Sequence, residues 1–582
     1  MEKQSVNGGQ FRVRESKEPI FARQIPRSVD VGLLKSWMTF CDQEHDVCER
    51  KNSLTGDEPC IRLIDVTEKR LVTASLHENY VALSYVWGNG LTGLVTKATE
   101  PKFRRKGGLS KDVVPSIVSD TMELVAELGL RYIWIDTACI IQDDDADKQR
   151  QLPIMDLIYS HAGLVIVADV INANSRLPRW KSDLDRGKPP LERICNILYT
   201  TGQRDLRSVM DQSLWNTRGW TLQESLLGRR KLVFTQTQVH WECCEEVWCE
   251  DKNLEFSMYR TLPTDEDSLV SRPKMHTSGN MSTQEFKLRA MAEYNYRAVA
   301  FAGRSFTNRN DAFWAFVGIL RSIKHLFPKG YIWGLPYDNL DAALLWSTRD
   351  AVDHHYDHTI RHEDGIFRTC PIPSWCWISK GCQVKYKSCG DPLESLVTWH
   401  EPLRYGEEYR WMKCPESFVS QSPYFTAEIF PREKSSSKLF DYGLLHFTAQ
   451  ATKLKVSLAK NLIQITGWAL VPAHIRLDSG RSVSVIMVPN DLFASEPEIV
   501  CEFIFLSKYH GAEATGPGKE SHSQDNVLHT PKWRDKSRWN MMLIKWCTSS
   551  MGASYAERVA IGEVYEWAWE QMGKDSKNII LG

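Results

Sequence analysis

The chain has 582 residues, room for about three or four domains. Apolar residues make up 42% and charged residues 25%, a globular balance that excludes disorder throughout. Lysine plus arginine number 72 and acids 73, so the net charge of −1 offers no global basic field to nucleic acid or to an anionic membrane surface.

Residues 1–75 read as a lead-in. They begin polar, without an apolar signal core, and then carry a short helix and an extended piece, Cys60–Val66. A compact alternation follows over 76–250. Tyr80–Val86 (YVALSYV) is apolar and β-prone, a buried strand. Leu91–Asp112 is a basic, glycine-bearing loop whose Lys102, Arg104, Arg105 and Lys106 form a solvated face. Pro115–Leu128 places Ile117, Leu124, Val125 and Leu128 on one helical face, and Gly129 suits the left-handed position that ends a helix. Arg131–Asp136 is the next strand, Lys148–Tyr159 a helix that Pro153 either starts or kinks, and Leu164–Ala168 a further strand. This order predicts an α/β layer with a largely parallel sheet and flanking helices.

Residues 171–212 read as a surface insertion. Arg218–Leu227 is a short helix, and Lys231–Thr235 with Gln238–Glu242 a strand pair. After a linker over 250–283, residues 284–350 are expected to be a helical segment and 370–510 a β-rich region of short apolar runs. Residues 511–535 have a disordered composition, and 536–582 form a strand–helix tail with Trp567 and Trp569. There is no internal repeat. The strongest apolar stretch, near Leu157–Ala173, contains His161, Gly163 and Asp169 and makes a poor membrane span. Fifteen scattered cysteines without an export signal read as reduced thiols in a cytoplasmic protein.

Several patterns resemble known sites and fall short. Gly88-Asn-Gly90-Leu-Thr-Gly93 matches G-x-G-x-x-G after a strand, but no helical face follows before Pro101, so a glycine-rich turn is the better reading. Three groups have metal-like spacing. Cys41, His45 and Cys48 share a helical face; His240, Cys243, Cys244 and Cys249 cluster after a strand; His354, His355, His358 and His362 crowd a polar stretch with Asp353 and Asp357. None has paired C-x-x-C knuckles, so no resident metal and no cofactor is expected. Cys139 and His161 are read as inert packing.

Three segments are more informative. Ala82–Gly88 puts Ser84, Tyr85, Trp87 and Gly88 at a strand's carboxyl end. Trp134–Asp144 leaves Asp136 where a strand becomes a loop, followed by Cys139 and Gln142. Arg218–Glu224 gathers a cation, an indole (Trp220), an amide (Gln223) and a carboxylate. Ligands of open parallel sheets sit at such carboxyl ends. Each residue also has a purely structural role open to it, and Thr221-x-x-Glu224 matches a capping box, the favoured reading of Glu224 from its chemistry alone.

In order and spacing these segments resemble the fungal heterokaryon incompatibility (HET) domain. Tyr80–Gly88 matches its Y-x-A-L-S-Y-x-W-G block, Leu128–Asp143 its R-Y-x-W-I-D-x-x-C-I-x-Q-D block, with Met155 and Ile158–Ala162 continuing it, and Arg218–Leu227 its R-G-W-T-x-Q-E-x-L-L block. Thr137-Ala138 replaces a common serine–leucine pair, and 171–212 is long. Tyr331–Pro336, Ala343–Trp346, Pro373–Trp377 and the tail Trp539–Trp569 also look like the long proteins that carry this domain. The resemblance implies fungal non-self recognition, in which the domain triggers regulated cell death. It implies protein partners, among them a second copy of the chain, and a distant likeness to Toll/interleukin-receptor-type domains, some of which cleave NAD. Two function classes follow. One is a signalling module that oligomerises and does no chemistry. The alternative is an NAD glycohydrolase with NAD as substrate, Glu224 or Asp136 as the carboxylate, Trp220 or Trp87 as an aromatic wall and Arg218 on phosphate. Convergence of Asp136, Arg218 and Glu224 on a common cavity would favour the enzyme, and each capping its own backbone the module.

Overall fold

A computed structural model describes residues 10–13, 23–48, 59–88, 93–181, 191–194, 197–253, 282–307, 311–348, 357–361, 367–371, 373–386, 393–405, 408–413, 445–459, 470–493, 496–510, 537–548 and 554–582. The stretch 511–535 and most of the glycine-rich turn at 88–93 lie outside them. The chain divides into two units, Met1–Lys274 and Met275–Gly582.

The first unit is built on an eight-stranded sheet. Before it, β1 (Gln10–Val13) belongs to a separate three-stranded antiparallel sheet. Helix α1 (Val31–Glu44) starts where Asp30 accepts the Leu33 N–H at 3.1 Å, and it buries Leu34, Trp37 and Cys41. Then come β2 (Cys60–Asp65), β3 (Arg70–Ser75), β4 (Tyr80–Ser84), the single turn α2 (Glu100–Phe103), α3 (Ser116–Glu127), β5 (Tyr132–Trp134) and α4 (Asp136–Cys139). Next are α5 (Asp145–Gln151), α6 (Met155–His161), β6 (Leu164–Ala168), β7 (Leu191–Ile194), β8 (Ile197–Thr201) and α7 (Leu206–Met210). The unit closes with α8 (Gly219–Leu227), β9 (Arg230–Phe234), β10 (Val239–Cys243) and β11 (Val247–Cys249).

The strand order is β11-β10-β9-β6-β4-β5-β2-β3. The pairs β4–β5, β4–β6 and β6–β9 are parallel. The pairs β2–β3, β2–β5, β9–β10 and β10–β11 are antiparallel. The sheet is therefore mixed rather than largely parallel. A hairpin extends each edge of the parallel centre, and local patterning reads a hairpin without showing which sheet it joins. The span read as lead-in supplies α1, β2 and β3.

Local signals explain the elements that hold the centre. Helix α3 buries Ile117, Val118, Leu124 and Val125, and Gly129 follows it at φ +86°. The helix expected over 148–159 is two, α5 and α6, separated by a 3-10 turn at Leu152–Ile154, because Pro153 lacks the N–H that a continuous helix needs. Strands β4 and β6 are buried at every position, as strands covered on both faces must be.

The second unit opens with helices Thr283–Phe301 and Asp311–Ser322. Tyr294, Phe301, Phe316 and Trp377 pack together there, three of their contacts edge to face and Phe301–Phe316 tilted, and the Trp377 indole donates to Tyr294 at 2.9 Å. A ten-stranded sheet follows, with long antiparallel strands at Leu445–Leu458, Glu498–His510, Ser537–Thr548 and Ser554–Tyr565. Its core includes Val456, Ile475, Phe503, Met541 and Leu543. The tail holds a further strand, Asp575–Leu581, after the helix Glu566–Glu570. Among the described residues no helix is long and apolar enough to cross a membrane.

Candidate functional site

The parallel centre runs β5-β4-β6-β9. In order of appearance these strands are second, first, third and fourth, so the direction of winding reverses at β4. A crevice opens at the carboxyl ends of such a switch point. Three segments meet there: the end of β4, the start of α4 after β5, and helix α8.

Ser84 ends β4 and is buried. Its hydroxyl donates to the carboxylate of Glu224 and accepts the indole N–H of Trp215 at 2.7 Å. Glu224 is not a capping residue. Arg218 is the N-cap of α8 and Gly219 its first residue, which makes Glu224 its sixth, and the Thr221 hydroxyl donates to the carbonyls of Trp215 at 2.7 Å and Arg218 at 2.8 Å. The capping-box reading fails because the helix starts three residues earlier than the T-x-x-E pattern implies. One and a half turns in, Glu224 faces the sheet.

Asp136 opens α4. Its carboxylate accepts the Thr137 N–H at 2.7 Å and the Trp87 indole N–H at 2.7 Å. Asp136 and Trp87 are both partly exposed. Trp87 is fixed from behind. Its carbonyl accepts the Ala173 N–H at 2.9 Å, and the next residue, Gly88, has φ +73° and lies so close to Asn172 that a Cβ would stand 2.3 Å from that side chain. The loops after β4 and β6 are thus locked together beside the carboxylate.

The electrostatics tie the set into one unit. Burial pushes the Glu224 carboxyl up to about 8; the Ser84 hydrogen bond, Arg218 and Tyr159 pull it down, and the Asp136 charge pushes it further up. Burial also lifts Asp136, to about 6, against the Thr137 N–H, the Trp87 indole and Arg218. At neutral pH Glu224 therefore holds its proton while Asp136 is mostly ionised. Two carboxyls with their values pushed apart can serve as proton holder and anion. Arg218, partly buried at the start of α8, acts on both.

The other sequence candidates divide. The Tyr85 hydroxyl meets Thr137 Oγ1 at 2.8 Å, joining β4 to α4. Gln142 donates to the carbonyls of Asp136 at 3.1 Å and Ile140 at 3.0 Å, bracing the loop. Trp220 is partly exposed and Gln223 is buried in α8. Cys139 is buried with its thiol on the Ile135 N–H at 3.4 Å, and burial raises it to about 12, so it is no nucleophile. His161 bonds its own helix, with Nδ1 2.9 Å from the Leu157 carbonyl. Trp215, Tyr159 and Thr137 belong to the cluster and were not singled out from the sequence. Trp215 stands three residues before Arg218, so its nearness to the third block was the available signal.

The metal-like spacings regroup. His240 pairs in register with Cys249, and burial lowers it to about 4. Cys243 turns to the opposite face of the sheet, toward α1. Of the histidine-rich run, residues 353–356 and 362 lie outside the described residues.

Residues 80–224 match the family model described as Heterokaryon incompatibility protein (HET). A curated relative, Heterokaryon incompatibility protein 6, OR allele, of Neurospora crassa, is 28% identical over 136 residues. That alignment covers 20% of this chain and 19% of the relative, so the chain spans about a fifth of the relative's length. No solved structure matches the chain.

Proposed function

We propose that this protein acts in fungal heterokaryon incompatibility and that the stretch 80–224, which matches the heterokaryon incompatibility family model, is the part that commits a cell to die. The domain match and the Neurospora relative support the role. The proposal includes a cytoplasmic location and a protein partner, or a second copy of the chain, as the trigger.

One observation favours a chemical way of acting over a purely oligomerising one. The charges of Asp136 and Arg218 bear on Glu224, and Arg218 bears on Asp136, at a sheet switch point, while Asp136 also accepts the Thr137 N–H of its own helix. That supports the NAD glycohydrolase reading, and with it the likeness to Toll/interleukin-receptor-type domains. In this reaction the bond from ribose C1 to the nicotinamide nitrogen breaks and its electron pair leaves with nicotinamide. Water adds at C1 and its proton passes to solvent. The transition state carries oxocarbenium charge, so the group opposite it must be an anion. Asp136 fits better than Glu224, since it is ionised at neutral pH and partly exposed. Glu224 keeps a proton and orients Ser84. Trp87, which holds Asp136, or Trp220 supplies the aromatic wall, and Arg218 meets phosphate.

The test uses the purified full chain with NAD, read for free nicotinamide, beside inducible expression in a fungal host read for growth arrest. Nicotinamide release and killing, both lost in a stably folded Asp136→Asn protein, support the chemical reading. Killing by wild type and Asp136→Asn alike, with no nicotinamide released, leaves the oligomerising module. No growth arrest from the wild-type chain, alone or with incompatible strains, removes the incompatibility role.

A further inference from the structure

The end of α1, the turn after it and the last residue of β10 bring together three thiols and an imidazole. Cys41 lies in the last turn of α1. His45 follows as its cap, its N–H on the Cys41 carbonyl at 3.2 Å, and Cys48 ends a 3-10 turn whose N–H reaches the His45 carbonyl at 3.0 Å. Cys243 arrives from β10. All four are buried, at 0%, 1%, 3% and 6% exposure in chain order. Their ligand atoms all lie within 4.8 Å of one another, and none of the three thiols is in a disulfide.

We propose that Cys41, His45, Cys48 and Cys243 bind one zinc ion as a closed, structural Cys3His site that fastens α1 to the hairpin β9–β10.

The donor set argues for the ion. Zn–S bonds of about 2.3 Å and Zn–N bonds of about 2.0 Å in a tetrahedron put neighbouring donors roughly 3.5–3.8 Å apart. The Cys243 Sγ to His45 Nδ1 distance is 3.4 Å, close to the expected sulfur–nitrogen edge. Soft thiolates with one imidazole select zinc over hard cations such as magnesium or calcium. With four protein ligands there is no open position, which is the mark of a structural rather than a catalytic ion.

The surroundings fit the same assignment. The Glu246 N–H donates to Cys243 Sγ at 3.3 Å, a bond that stabilises a thiolate. His45 Nε2 is buried and has no hydrogen-bond partner, and the nearest carboxylate oxygen described for it, on Glu246, is 3.9 Å away and held by the Trp248 indole at 2.7 Å. A small turn of the ring makes this the carboxylate–histidine pair that sets the tautomer of a ligand imidazole, leaving Nδ1 for the ion. Three thiolates, a neutral imidazole and Zn2+ carry a net charge of −1. Arg230, the cross-strand neighbour of Cys243, lies beside that charge and bridges to Asp42. Trp248 and Phe40 wall the cluster, with ring centres 5.8 and 6.0 Å from His45. Cys244, next in sequence to Cys243, has its thiol 3.7 Å from the Arg229 carbonyl and is not one of the four mutually close donors, although its side chain borders Cys48. Binding sends thiol protons to solvent, so uptake strengthens as pH rises.

The test is elemental analysis of the full chain, purified without chelator and dialysed against zinc and then buffer. One zinc per chain is expected, falling at least tenfold in Cys243→Ser and Cys41→Ser and unchanged in Cys244→Ser. Should the serine variants fail to fold, the wild-type protein decides. Titration with an organomercurial must release zinc in step with modification of Cys41, Cys48 and Cys243, located by peptide mass mapping. Cobalt in place of zinc must give the intense visible bands of a tetrahedral thiolate site. A metal-free wild-type protein, full zinc retention by folded Cys243→Ser, or a disulfide among these three cysteines overturns the proposal.

Discussion

The same sheet carries two buried polar clusters, and they solve the problem of burial in opposite ways. At the strand ends, Glu224 is neutralised by its own proton, and Ser84, Trp215 and Asp136 supply hydrogen bonds or charge around it. Under α1, three thiols and an imidazole face one another with one backbone N–H between them and no hydrogen-bond partner for the imidazole Nε2. The first cluster is complete within the chain and can change its protonation. The second is completed from outside by a cation. A switchable site and a fixed staple are both made from buried polar side chains; what distinguishes them is whether donors and acceptors balance.

The comparison breaks most visibly at the staple. Stripping metal with a strong chelator, or Cys243→Ser, should lower the unfolding temperature of the first unit by roughly 10 °C or more, because a structural ion is folding free energy. Differential scanning calorimetry of the full chain reads this, and an unmoved first transition would place the two clusters in the same class. Asp136→Asn should act oppositely. Nicotinamide release should fall on the order of 10²–10³-fold while the unfolding temperature holds or rises, since a partly buried charge is removed.

The third expectation concerns pH. Glu224 titrates at about 8 in the folded chain, above its ordinary value of 4.5. The folded state thus holds a proton that the unfolded chain has released. The stability that this proton contributes is fully present below about pH 4.5 and is lost as pH rises through 8, by roughly 3–4 kcal/mol between pH 5 and 8. Glu224→Gln should flatten that slope and leave stability near pH 5 almost unchanged. Denaturant melts at the two pH values measure it, and parallel slopes for wild type and variant would mean that Glu224 is ionised throughout. Trp215→Phe removes the hydrogen bond to Ser84 and leaves a small cavity at a buried ring, and should cost about 2–3 kcal/mol by the same melts. Cys244→Ser, beside the staple but outside it, should stay within about 0.5 kcal/mol.

The parts of this architecture that were legible in the sequence are those set by local rules. Tyr80–Ser84 and Leu164–Ala168 read as buried strands because nearly every residue is apolar, and Ile117 to Leu128 as a helix because its apolar positions share a face. Ser84 and Asp136 were legible as strand-end residues for the same reason. Glu224 was misread because T-x-x-E looks the same whether it starts a helix or lies inside one. The difference is set by the Thr221 hydroxyl, which bonds carbonyls before it instead of an N–H after it. Trp215 reaches Ser84 across 131 positions of chain, a pairing no window covers. The spacing of Cys41, His45 and Cys48 was visible too, but three donors do not close a tetrahedron, and the fourth comes from β10, the strand next to the far edge of the sheet.

That distance has a consequence for how the chain is made. His45 and Cys243 are 198 positions apart, and between them lies the whole stretch matched by the family. Helix α1 leaves the ribosome long before the strand it docks on, so Trp37, Cys41 and Cys48 must wait, with apolar surface uncovered, until β9 and β10 have been synthesised and paired. The ring then closed is long, and its entropy cost grows only with the logarithm of its length, so docking is deferred more than it is penalised. A fragment cut to residues 80–224 would lack β2 and β3 at one edge of the sheet and β9 to β11 at the other, leaving the Ser84–Glu224 pair in a layer with two raw edges.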